Sequence, residues 1–480
     1  MSRLRIALSV ALLAWPLAAS AQQGDQPAPG SAESGYTGNS GFEAFKKNRL
    51  QGFASYKEQV HKEFQQFAKL HDQVSARYEK RISDVWAQPE QSSKTRWVHY
   101  EDGYRIKRVV DFEQQQIVWS TPQSEAGSVD LTKSKARQML QALMAMTRRD
   151  AFEQDEVARE VEEKSRSQFK HLETATLDDT SPVLPAYLFG ENRVNKQQQQ
   201  QAINAMLAGA ERTSWTENGQ QVVGWVLPLT AGAAESAGAK PEPAPTAKPE
   251  TKPAPKPVPA AEPATQAPAP TPAAPVVART EGSVWKVHAI EPGQREQLPA
   301  RARPFVAAIN KENREFELSA ELLLAIMETE SAFNPMAKSS IPAFGLMQIV
   351  PASAGQDATE KLFGKPRLLA PSYLYNADNN IRVGAAYFNI LYYRYFKGIE
   401  NPVSRLYCAI AAYNTGPGNV SLALTGKGMK LRPAIAVANT MTPAEVYHHL
   451  LGNLPYEETV NYLKKVTTRL DNYTEALNNG

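Results

Sequence analysis

Five short segments in the last 160 residues carry side chains that could do chemistry together. The first is Glu330, which ends the apolar run Leu322-Leu323-Leu324-Ala325-Ile326-Met327-Glu328-Thr329-Glu330-Ser331. A carboxyl on an apolar helical face holds its proton more tightly than one in water. A general acid working near neutral pH needs that property. On a helix starting near Ser319, Glu321 and Glu328 share one side, and Glu330 lies about 200° from Glu328, over Leu323, Ile326 and Met327. This pattern predicts Glu328 as a solvent-facing charge and Glu330 as a carboxyl on the packed side. A helix-end glutamate paired with a nearby Lys or Arg would explain the same residue without chemistry.

The other segments are weaker alone. In Gly345-Leu346-Met347-Gln348, Gly345 permits close backbone approach and Gln348 offers an amide donor and acceptor suited to sugar N-acetyl and hydroxyl groups. A helix start with Met347 in the core is the plainer reading. In Asn380-Ile381-Arg382-Val383-Gly384-Ala385-Ala386-Tyr387, Gly384 allows close helix packing, and packing explains most of the segment. Tyr413 and Asn414 precede Gly416-Pro417-Gly418 and would project from a rigid helix end, although a capping turn accounts for the glycines and Asn414. Glu458 and Tyr462 are four apart, on one helical face, and read equally well as a surface pair. His448 and His449 would point about 100° apart on a helix and make no metal pair; neither a metal nor a cofactor is expected.

The elements that must position these residues follow from the rest of the chain. At 480 residues it is too long for one ordinary domain. Residues 1–21 read as a secretory signal, with Arg3 and Arg5, an apolar stretch Ile6 to Ala19, and Ala19-Ser20-Ala21 for cleavage. Residues 22–40 are polar and read as disordered. Residues 41–230 read as an α+β domain. Phe42, Phe45, Phe53, Tyr56, Val60, Phe64 and Phe67 follow a helical period, and strand patterns flank the turn signals Asp102-Gly103 and Asn218-Gly219. A helical pattern runs between them from Leu131 to Leu172, and Gln197–Gln201 reads as a solvated loop or helix end. Residues 231–282 are a Pro/Ala-rich linker, able to reach on the order of 100 Å at about 3.1 Å per residue. Residues 283–480 read as mostly α. The net charge of +3, from 53 basic and 50 acidic residues, points to no nucleic acid. Cys408, the one cysteine, sits in an apolar helical stretch and reads as packing.

In order and spacing, Glu330-Ser331, Gly345-Leu346-Met347-Gln348, Ala412-Tyr413-Asn414 and Glu458-Thr459 with Tyr462 resemble the motif series of soluble-lytic-transglycosylase-type (goose-lysozyme-like) domains. The resemblance extends to the membrane-bound murein transglycosylase C family, through Asn439 to Tyr447, Tyr462 to Val466, and Trp97 to Glu113 in the first domain. It implies a lysozyme-like fold and cleavage of the β-1,4 bond between N-acetylmuramic acid and N-acetylglucosamine in peptidoglycan glycan strands, with 1,6-anhydro ends. It implies Glu330 as catalytic acid and then base. Ser331, Met347, Gln348, Tyr413, Asn414 and Tyr462 are implied to bind substrate, and Gly345, Gly384 and Glu458 to act structurally. Two other readings stay open. One is a hydrolytic muramidase using a second carboxylate such as Asp357, Asp378 or Glu458. The other is a non-catalytic peptidoglycan-binding protein. The family enzyme is normally a lipoprotein, whereas no cysteine follows the signal here. The expected location is therefore the periplasm, with peripheral membrane or cell-wall complex association left open.

Overall fold

The computed structural model describes residues 40–177, 180–191, 194–232, 287–339 and 341–478. The expected signal peptide, the expected disordered segment except Ser40, and nearly all of the expected linker lie outside these residues. The chain divides at Ala54. Before that point the described part is the start of a helix, Ser40–Ile82. From Ser55 onward the chain is one compact unit, which holds both the α+β region and the mostly helical region.

The first helix shows why its sequence folds this way. Val60, Phe64, Phe67, His71, Val74, Tyr78 and Ile82 recur every three or four residues, and all are buried along one face. An antiparallel sheet follows, with strands β1 (Arg96–Glu101), β2 (Ile106–Asp111) and β3 (Gln116–Pro122). After a short strand β4 (Leu172–Glu173) come β5 (Glu211–Glu217) and β6 (Gln220–Pro228), which give the order β1-β2-β3-β6-β5. The Asn218-Gly219 signal makes the β5–β6 turn, with φ of 49° and 82°. Both central residues need positive φ in such a two-residue hairpin. Between β3 and β5 the helical pattern resolves into Lys133–Ala145, Arg148–Gln154 and Glu156–Gln168. The glutamine run is a helix end: it opens the helix Lys196–Ala208, whose first turn is fixed by a reciprocal cap between Asn195 and Gln198.

The second half is helical apart from β7 (Leu368–Leu369). Ser319 caps the helix Ala320–Ser331, its hydroxyl accepting from Leu322 N at 3.1 Å. Asn376 and Asn401 cap Ala377–Ile390 and Pro402–Thr415 in the same way, and Glu457–Asn478 closes the chain. One expectation about this half fails. Glu328 does not face solvent: Arg301 at 2.8 Å, Arg469 at 3.5 Å and the Tyr473 hydroxyl at 2.9 Å hold its carboxylate. Glu321 is buried and faces His288 at 3.4 Å. Helical periodicity gave the correct face for each, but neighbouring elements cover that face. Cys408 is fully buried, as its apolar surroundings predict, and burial pushes its thiol up to about 12.

The two halves meet through polar contacts. β4 pairs in parallel with β7, and Glu162 accepts from the backbone and hydroxyl of Ser372 at 2.8 Å each. A further contact is a largely buried ion pair. Lys338 Nζ lies 2.9 Å from both carboxylate oxygens of Asp155, which also caps the helix Glu156–Gln168 through Ala158 N. Burial pushes the Asp155 carboxyl up, but the Lys338 charge and hydrogen bonds outweigh it and hold the group below the usual range.

Removing one partner should therefore strand the other charge. Lys338→Met is expected to cost about 3–5 kcal/mol. Asp155→Asn, which keeps the cap, should also destabilise. The double variant should lose less than the two single losses together. Urea unfolding of the full chain measures this, and strictly additive losses would show that the pair is not coupled.

Candidate active site

Glu330 occupies the last turn of the helix Ala320–Ser331 and is 4% exposed. The helix stops there because Ala332 and Phe333 take left-handed backbone angles, φ 48° and 63°. Such angles cost a non-glycine residue on the order of 1 kcal/mol or more, so the surrounding packing must enforce this helix end. Phe333 is buried and stacks on Phe305.

A tight turn lies beside the helix end. Phe344 and Ile349 pair across it, and Gly345 and Gln348 adopt φ of 75° and 47°. Three side chains from three helices latch this turn. Ser331 Oγ lies 2.9 Å from Leu346 O and from Met327 O. Tyr413 donates its hydroxyl to Met347 O at 3.0 Å. Asn380 accepts from Met347 N and donates to Phe344 O and Leu374 O, all at 2.8 Å. Gly345 is required here, since a Cβ would fall 2.3 Å from both Asn380 Nδ2 and Leu374 O. Gly384 is needed on the other side, where a Cβ would meet Met347 Sδ at 2.3 Å.

These contacts sort the residues expected to bind substrate. Ser331 and Met347 are both fully buried. Ser331 spends its hydroxyl on the turn and Met347 fills the space against Gly384, so both hold the site together and neither forms its wall. Gln348 donates Nε2 to Gly345 O at 2.9 Å, and its buried Oε1 has no hydrogen-bond partner among the described residues. Its amide thus holds an unspent acceptor. Asn414 Oδ1 accepts from Thr459 Oγ1 at 2.7 Å, which joins two helices at the site's edge. Tyr413 packs against Tyr387 and Phe388.

The last helix brings two groups to Glu330. The Tyr462 hydroxyl is buried and close enough for each group to act on the other's proton, but among the described residues it makes no hydrogen bond of regular geometry. Glu458 is exposed and lies across Lys94, a residue of the first domain. Lys94 Nζ is 3.5 Å from Glu330 Oε2 and 3.2 Å from Glu458 Oε1. Glu458 is thus part of an inter-region bridge, more than an anchor for its own helix. Burial raises the Glu330 proton affinity, Lys94 and Tyr462 lower it, and Glu458 raises it; the carboxyl remains above the ordinary range. The same burial, with the Glu330 charge, pushes the Tyr413 and Tyr462 hydroxyls well up. Asp357 has a partner of its own, the Tyr395 hydroxyl at 3.0 Å.

Sequence reasoning read the Asn380 segment as packing and missed Lys94. Asn380 has polar neighbours, Asp378, Asn379 and Arg382, so it did not stand out. Nothing local marked Lys94, which is 236 positions from Glu330 along the chain.

Residues 307–432 match the family described as the Transglycosylase SLT domain. That span holds Glu330, Gln348, Tyr413 and Asn414; Glu458 and Tyr462 lie beyond it. The chain is 40% identical over 176 residues to membrane-bound lytic murein transglycosylase C of Pectobacterium atrosepticum, which covers 37% of this chain and 48% of that protein. The figures are the same for the Klebsiella pneumoniae protein of that name. The chain thus spans about half the length of the curated relatives it matches. It is also similar to the 70 kDa soluble lytic transglycosylase of Escherichia coli, at 26% identity over 37% of this chain and 26% of that one, with a TM-score of 0.27.

Two outcomes follow from the geometry. Asn380→Ala removes the acceptor of Met347 N and a donor to Leu374 O, while Phe344 O keeps Ile349 N at 3.1 Å. At about 1–3 kcal/mol for each buried orphan, it should lose about 2 kcal/mol or more and lower the melting temperature. Glu330→Gln should do the reverse, in a pH-dependent way. Below the ordinary carboxyl range, Glu330 is protonated both folded and unfolded and costs nothing. As pH rises, the unfolded state ionises first, so wild-type stability falls until the raised folded pKa is passed. The melting temperature of Glu330→Gln minus that of wild type should therefore grow from pH 4 to pH 8. A constant difference would contradict the raised proton affinity.

Proposed function

We propose that this protein is a peptidoglycan lytic transglycosylase, a lyase that cleaves the β-1,4 bond between N-acetylmuramic acid and N-acetylglucosamine. The observation that carries the reading is Glu330 itself. It is a buried carboxyl kept toward its protonated form, set at a rigid helix end beside a turn that presents Gln348. The match of residues 307–432 to the SLT domain supports it.

Glycoside cleavage usually takes two carboxylates flanking the bond. The carboxylate that acts on Glu330, Glu458, is exposed and bridged to Lys94, which suits it poorly to activate water. A one-carboxyl route fits better. Glu330 protonates the bridging oxygen, and the substrate's own N-acetyl group stabilises the cation at the anomeric carbon. The Glu330 carboxylate then takes the proton of the muramyl 6-hydroxyl, whose oxygen bonds to that carbon and closes the 1,6-anhydro ring. The proton lost in the first half is regained in the second, and no water is consumed. One group acting as acid and then as base needs a proton affinity near the working pH, and burial moves Glu330 in that direction.

In this reading Gln348 and Asn414 contact sugar amide and hydroxyl groups. Tyr413 holds the turn and Tyr462 meets the Glu330 carboxyl. The location that suits the substrate is the periplasm, reached through the signal-like residues 1–21. No helix among the described residues is long and apolar enough to cross a membrane.

Digestion of purified sacculi, followed by mass spectrometry of the fragments, tests the reading. Wild type should release muropeptides with 1,6-anhydro ends, and Glu330→Gln should bind sacculi yet lose at least about 100-fold in cleavage, the scale for a general acid–base group. Reducing ends in place of anhydro ends would sink the lyase reading.

A further inference from the structure

We propose that Lys94, carried by the first domain, belongs to the working catalytic centre: its ammonium is the counter-ion that the Glu330 carboxylate meets when the proton leaves. This rests on the reading of Glu330 as acid and then base.

The geometry is specific. Lys94 Nζ lies between two carboxyls, 3.5 Å from Glu330 Oε2 and 3.2 Å from Glu458 Oε1. Its backbone is pinned on both sides. Ser93 N donates to Arg96 O at 2.8 Å, and Phe112 N to Thr95 O at 2.8 Å. Ser92 Oγ exchanges hydrogen bonds with Val98 N and O at 2.9 and 3.1 Å. Arg96 is locked between Glu90 and Asp111 at 2.7 Å each. On the catalytic side, Lys338 N donates to Ser93 O at 3.4 Å, directly beside the buried Lys338–Asp155 pair. The segment that carries Lys94 is therefore fixed to both the sheet and the helical region. An ordinary surface ion pair contributes little and involves two mobile side chains. Here one partner is the buried acid, and the lysine is presented by an anchored strand entry.

The charges that face Glu330 come from three elements. Lys94 stands before β1, Glu458 and Tyr462 lie on the helix Glu457–Asn478, and Tyr413 lies on the helix Pro402–Thr415. Among the described residues Lys94 is the cation that acts on Glu330 itself, and Arg469, on the last helix, acts on Tyr462. In the acid step the Glu330 proton moves to the glycosidic oxygen, the C–O bond breaks and a negative charge appears on a carboxylate shielded from water. An ammonium already 3.5 Å away stabilises that charge without new solvent. In the second step the charge is discharged by the 6-hydroxyl proton. Glu458 holds the ammonium from the solvent side and shares its field, so that Glu330 is not ionised too early. Lys94 acts through Glu330 and is a positioning residue.

The two sides of the bridge therefore have opposite effects on the pH dependence of turnover, which a purely structural role would not produce. Rates of anhydro-muropeptide release from sacculi, measured from pH 4 to pH 9 for the full-length protein, give the alkaline limb that reports loss of the Glu330 proton. Lys94→Met should move that limb upward, on the order of one pH unit for a counter-ion at this distance, and lower the plateau rate. Lys94→Arg should keep the limb in place. Glu458→Gln, which releases the ammonium to Glu330, should move it downward. Limbs that stay put, or that move the same way in Lys94→Met and Glu458→Gln, overturn the proposal. So does a raised KM for Lys94→Met with an unmoved limb, which would make Lys94 a substrate contact. The wild type separates this from the underlying reading: failure to form anhydro ends strikes the reaction assigned to Glu330, whereas anhydro ends with unmoved limbs strike only the role of Lys94.

Discussion

A carboxyl with only a few per cent of its surface in water is the constraint on which the rest of this structure depends. Burial makes Glu330 a usable acid, but it also makes the ionised form costly. The site must stay dry when the group is neutral and still offer charge when it is not. The latched turn meets the first demand. Ser331, Asn380 and Tyr413 each commit a polar atom to the backbone of Phe344–Met347. Opening the turn would break several buried hydrogen bonds at once. Gly345 and Gly384 then have a shared purpose, because each removes a Cβ from the path by which the turn approaches the helices.

The second demand is met from outside the helical region. The cation nearest to Glu330 comes from the loop that enters β1, and that loop keeps its place only because the sheet region is fixed to the helices. The Asp155–Lys338 pair therefore contributes to more than stability. A buried ion pair often adds little net free energy over a well-packed apolar pair, but it permits one arrangement and penalises the alternatives. Lys338 N also donates to Ser93 O, so the residue that fixes the interface touches the segment that delivers Lys94.

Much of this was legible in the sequence, for reasons tied to distance along the chain. The first helix, the Asn218-Gly219 turn and the start of the Glu330 helix at Ser319 are set by local periodicity and capping. The side of the helix on which Glu330 lies was readable from spacing alone. What covers each side was not. Glu328 and Glu321 sit where the helical wheel puts them, but Arg301, Arg469, Tyr473 and His288 arrive from distant segments to enclose them. Met347 shows the same limit. Its type suits a sugar-facing wall or a core equally well, and only the approach of Gly384 decides for the core.

The division of labour at the site follows from the same logic. Residues close to Glu330 in sequence or on the same helices mostly supply rigidity, since one helical face cannot both pack the core and display several free polar groups. Ser331, adjacent to the acid, is spent on the turn. The groups that keep unspent polar capacity or tune charge come from elsewhere: Gln348 from the turn, Tyr462 and Glu458 from the last helix, and Lys94 from the first domain. A single buried carboxyl can serve as acid and base only if its proton affinity is neither that of water-exposed glutamate nor that of an isolated group in an apolar core. Setting it between those limits takes one opposing charge held at a fixed distance. The fold provides that charge through a contact between two regions, and the first region thereby becomes part of the chemistry instead of an appendage to it.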